Sequence, residues 1–151
     1  MEDMIRALGA EPVAIPYSLV YSNLSTGAVD GAENNWPSYE SMNHYQVAPY
    51  ILLDGHVRIP EIQLMSSKTA ASLPEEYLQV IQECAKESAE YERALWAEQE
   101  AASRKIVESA GAVVTDLSET ERLKFQQACE PIYETYTEEY RDIVQQIIDV
   151  V

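Results

Sequence analysis

The chain has 151 residues, enough for one ordinary domain, and an apolar fraction of 46% that could line a reasonable core. Its formal net charge of −16 and pI near 4.3 oppose phosphate backbones and anionic lipid head groups, which argues against a nucleic-acid or membrane-surface partner. An anionic small molecule is not excluded, because local donors decide its binding more than the global field does.

In chain order, Met1 to Leu8 reads as a helix end capped by Gly9. This start is acidic and amphipathic where a secretory signal is basic and then apolar, so no signal peptide is expected and the sequence reads as truncated. No apolar run is long enough to predict a bilayer-spanning helix. The β-branched Val13 and Ile15 predict a strand that stops at Pro16, which cannot donate to a ladder. Ser18 is expected to cap a helix carrying Leu19, Val20, Tyr21 and Leu24, closed by a left-handed Gly27. Ala28 and Val29 then predict a very short second strand. A polar loop follows, with a tight bend at Gly31 and Asp30, Glu33, Asn34, Asn35 and Trp36 clustered around it.

Pro37 suits the first turn of a short helix over roughly residues 38–43. The runs HYQVAPYILLDG and HVRIPEIQLMSS then read as extended segments, with Pro49 and Pro60 marking edges or interrupted pairing. From Leu73 or Pro74 to Ser109 the apolar spacing is helical. A helix that long is a rod of about 50 Å, suited to bracing two lobes or packing on a second chain. Gly111 ends it, residues 112–115 predict a strand, Ser118 with Glu121 predicts a capping box, and Pro131 is expected to begin the last helix. Cys84 and Cys129 fall on predicted helices and fit two free thiols or one disulfide.

The polar loop is the candidate site, since small molecules in open α/β folds bind on loops beyond the strand ends. Catalysis has little support: His44 and His56 have no positioned serine or cysteine partner. No Walker loop, dinucleotide fingerprint, CxxC or HExxH spacing occurs, so neither a cofactor nor a metal is implied. Read from the residues alone, Asn34 is a turn former or an uncharged donor. Trp36 either packs under the loop or stacks on a sugar ring. Glu33 and Asp30 are solvated carboxylates or oxygens for an accompanying cation.

The run PYSLVYSNLSTGAVDGAENNWPSYES, preceded by LGAEPV and followed by HYQVAPYILLDGHVRIPE, resembles the extracytoplasmic solute-binding proteins of TRAP transporters, the DctP-like family. The match covers the family's C-terminal half. The resemblance implies an α/β fold: the C-terminal portion of a two-lobed, type II-like periplasmic binding protein with one long lobe-spanning helix. It divides the chain into a ligand-loop segment over residues 1–45, hinge-crossing strands over 46–66, the long helix over 67–110, and a C-terminal strand and helices over 111–151.

The same resemblance places Asn34 at the asparagine of the family's "EN" motif, which hydrogen-bonds a ligand carboxylate. Tyr17 takes the position of an aromatic that touches ligand, and Trp36 and Glu33 belong to the same loop. His56 and Glu61 fall near the cleft with Arg58, and His44 reads as structural. The implied function is capture of an organic acid (a uronate, aldonate or dicarboxylate, with sugar acids favoured) in the periplasm, and its delivery to a membrane permease. No enzyme activity is implied. The family's arginine-bearing strand, which pairs with the ligand carboxylate, has no counterpart in the chain. The alternative is therefore a self-associating fragment that forms a homodimer through its truncated face without binding ligand.

Overall fold

A computed structural model describes residues 1–150. In chain order the elements are α1 (Glu2–Ala7), α2 (Val20–Thr26), α3 (Trp36–Ser41), β1 (Tyr50–Leu53), α4 (Ser67–Ser72), α5 (Glu75–Ser109), β2 (Val113–Asp116), α6 (Glu119–Thr137) and α7 (Arg141–Ile148), with 3-10 turns at Tyr17–Leu19, His44–Gln46 and Glu138–Tyr140. No helix among the described residues is long and apolar enough to cross a membrane.

The chain forms two compact units. The first comprises Met1–Ala32, Ile51–Asp54 and the chain from Val114 onward. Here β1 pairs with β2 in a two-stranded sheet. The Arg122 guanidinium reaches back to the Asp54 carbonyl at 2.5 Å, fixing α6 to the end of β1. Helix α1 packs on α6, where the Tyr136 hydroxyl donates to the Asp3 carboxylate. That hydrogen bond, reinforced by Arg6, holds the Asp3 pKa below its ordinary value.

The second unit comprises Glu33–Tyr50 and Gly55–Val113. Its centre is the packing of α3 on α5. Val107 and Ser103 of α5 are fully buried, with Tyr39 and His44 nearly so. These four are the buried residues among those described, so the second unit carries the core. The Tyr39 hydroxyl satisfies itself by donating to the Ala48 carbonyl at 2.7 Å.

The long helix, the strand after it and Gly27 appear where the sequence places them. Gly27 takes the left-handed conformation at φ 70°, and Ser118 accepts from the Glu121 amide at 3.2 Å as a cap for α6. Other expectations need correction. Residues 13–15 form no strand, because no segment among the described residues pairs with them. Residues 28 and 29 form none either, since their amides close α2 by donating to the Asn23 carbonyl at 2.9 and 3.4 Å. The run after His56 is extended but unpaired for the same reason as residues 13–15.

Ser18 does not cap α2: a 3-10 turn begins one residue after Pro16, and Leu19 precedes the helix. Pro131 lies inside α6 and does not start a helix. The preceding turns carry the helix through it, and the final segment restarts at Arg141 after a 3-10 turn. The cysteines are free, Cys84 exposed and Cys129 half-buried.

Candidate functional site

Five of the six candidate residues, Glu33, Asn34, Trp36, His56 and Glu61, belong to the second unit; Tyr17 belongs to the first. Tyr17 is 46% exposed and opens the 3-10 turn set by Pro16.

The loop before α3 is built by successive side-chain hydrogen bonds. Asn34 Oδ1 accepts from the Asn35 amide at 2.9 Å. Asn35 Oδ1 in turn accepts from the Ser38 amide at 2.9 Å, making Asn35 the N-cap of α3. With its oxygen committed to the backbone, Asn34 presents its Nδ2 amide as the group for an external acceptor.

Trp36 and Pro37 supply the first turn of α3. The Trp36 ring meets Tyr39 edge-on, with centroids 6.4 Å apart and planes at 71°, and Tyr39 meets Tyr45 in the same way at 6.2 Å. Over the Trp36 ring lies the guanidinium of Arg104 from α5, 5.4 Å from the centroid. Arg104 Nε also donates to Glu108 Oε1 at 2.8 Å.

The loop has a second tether. Glu33 Oε2 lies 3.5 Å from His56 Nε2, with the His56 side chain only 18% exposed. Glu61 and Arg58 are exposed on the extended segment that follows.

The structure thus brings Glu33 and His56 together beside Asn34 and Trp36. Sequence reasoning missed Arg104 and the capping role of Asn35. Asn35 had a signal in its position three residues before Ser38. The spacing of Arg104 to Glu108 marks only a surface pair, and nothing local points to Trp36.

Set beside known proteins, residues 1–140 match the model of the bacterial extracellular solute-binding proteins of family 7, DctP. The chain belongs to that family, whose members bind solutes for transport outside the cytoplasm and are not enzymes. Among its relatives, a solute-binding protein of Chromohalobacter salexigens is 35% identical over 147 residues, covering 97% of this chain and 43% of that protein.

A TRAP periplasmic solute binding protein from Roseobacter denitrificans, solved with bound β-D-glucuronate, is 45% identical with a TM-score of 0.85, covering 93% of this chain and 46% of that one. One from Bradyrhizobium sp., solved with galacturonate, is 39% identical with a TM-score of 0.87, covering 98% and 49%. The chain therefore spans about half the length of the relatives it matches. The resemblance to the C-terminal half of a DctP-type protein and the α/β binding-protein class are both borne out.

Proposed function

We propose that the chain supplies one wall of a TRAP-type receptor site for a uronate, and that the whole receptor hands this ligand to a membrane permease. The observation that carries the reading is the orientation of Asn34. Its oxygen is held by the Asn35 amide, so its Nδ2 is the donor offered to a ligand carboxylate, with no added charge to desolvate. Glu33, Trp36 and His56 belong to the same unit as that donor, and Glu61 is assigned a more peripheral contact to the sugar. The uronates found in two similar structures support this ligand class over short dicarboxylates.

Isothermal titration of the chain with D-glucuronate, D-galacturonate, D-gluconate and succinate is the test. The expected result is saturable heat with a uronate, weakened by about 1–3 kcal/mol in Asn34→Ala. Flat traces across the panel would sink the reading for this chain.

A second reading is self-association without ligand. It is favoured by the apolar side chains of the unpaired extended segment, where Ile59, Ile62 and Leu64 are 73%, 71% and 85% exposed. Light scattering decides it: a mass that stays at 17.0 kDa over a dilution series refutes association.

A further inference from the structure

We infer that Arg104 is a positioning residue for the Asn34 loop, acting through Trp36. The inference deepens the proposed site and rests on that loop being the ligand wall. Helix α3 has six residues, too few to persist without tertiary support. Its C-terminal half has that support in the buried Tyr39. Its first turn, where Asn34 and Asn35 attach, depends on how Trp36 is held.

Two ring contacts are seen at Trp36 among the described residues. Tyr39 meets it edge-on, and the Arg104 guanidinium lies over its face at 5.4 Å, inside the range where the ring quadrupole attracts a cation. The Nε hydrogen bond to Glu108, 2.8 Å long, fixes the plane of the guanidinium, and α5 anchors both residues beside the buried Ser103 and Val107. The chain of restraint runs from α5 through Arg104 to Trp36, to the cap at Asn35 and so to Asn34.

Two consequences follow. The guanidinium occupies one face of Trp36, so a sugar could stack only on the other. Lysine is also a poor replacement, because a single ammonium lacks the planar group that lies over the ring while its Nε donates to Glu108.

The test uses the intact chain carrying Trp96→Phe, which leaves Trp36 as the single tryptophan of the two in the sequence. Arg104→Gln and Arg104→Lys are compared with the parent, and Arg93→Gln on the same helix serves as control. Arg104→Gln should shift Trp36 emission and speed hydrogen exchange of the amides of residues 35–38 by about tenfold. Arg104→Lys should recover part of both changes, and Arg93→Gln should alter neither. D-glucuronate affinity should fall in parallel, about tenfold for Arg104→Gln.

If the parent binds no uronate, the site reading fails, yet the emission and exchange measurements still decide the role of Arg104. Unchanged exchange and emission in Arg104→Gln overturn the inference. So does a parent that binds uronate with the same affinity as Arg104→Gln.

Discussion

Glu33 Oε2 stands 3.5 Å from His56 Nε2, joining the loop before α3 to the extended segment after β1. Both ends carry charge only when the imidazole is protonated, and Glu33 is half exposed. The pair is therefore worth no more than an ordinary surface bridge, about 0.5–1 kcal/mol. Its expected consequence is geometric: a tether at Glu33 should narrow the positions open to Asn34, the next residue.

A double-mutant cycle should expose this. Glu33→Gln and His56→Ala are each expected to weaken uronate binding two- to fivefold, roughly the worth of such a bridge. The double variant should lose less than the product, and the coupling should shrink at high salt. Titration calorimetry at two ionic strengths measures it; strictly multiplicative losses would mean the contact does not shape the site.

The Tyr39 hydroxyl donates to the Ala48 carbonyl at 2.7 Å, and Tyr39 is one of the few buried side chains. Tyr39→Phe keeps the ring contacts with Trp36 and Tyr45 and strands only the carbonyl. The expected cost is about 1 kcal/mol, read as a lower urea midpoint at unchanged slope. A midpoint equal to the parent's would show that water replaces the lost donor without penalty.

How far the sequence could be read depended on the range of the interactions. The α5 helix was legible because its apolar spacing and its ends at Pro74 and Gly111 are local signals. The Gly27 cap was legible because a left-handed residue there is a backbone requirement. The strands at 13–15 and 28–29 failed for opposite reasons. The first has strand-forming residues but no partner to ladder with, and the second has its amides drawn into the α2 cap. Helix propensity in the flanking turns outweighed the proline signal at Pro131. In the site, the motif pointed to Asn34 and its neighbours, whereas Arg104 lies far along the chain and meets Trp36 only through α3–α5 packing.

Val107 is fully buried while the adjacent Ile106 is 47% exposed. Two neighbouring aliphatic residues on one helix should then respond very differently to truncation. Val107→Ala removes buried methyl groups from the α5 side of the second unit's core and should cost about 2 kcal/mol. Ile106→Ala should stay within about 0.5 kcal/mol. Chemical denaturation of the two variants makes the comparison, and equal losses would mean the core is not at this face of α5.

Stability should also carry a histidine signature. His44 is 2% exposed, and burial pushes its pKa below the ordinary 6.5. The folded imidazole therefore stays neutral at pH values where the unfolded one takes up a proton. Above 6.5 both states are neutral and His44 costs nothing; as pH falls through 6.5 toward the depressed folded value, the unfolded state gains protons and stability drops. Asp3 acts in a different window: its folded pKa lies below 3.8, so its contribution holds above that value and fades below it. Tyr39 works at the other end, where burial raises its phenol above 10.0 and stability should fall as pH rises past 10.0. Denaturation midpoints between pH 4.5 and 8 isolate His44, because His44→Gln removes the titrating group. The expected outcome is a slope below 6.5 in the parent that flattens in the variant; identical slopes would assign the acid sensitivity to groups other than His44.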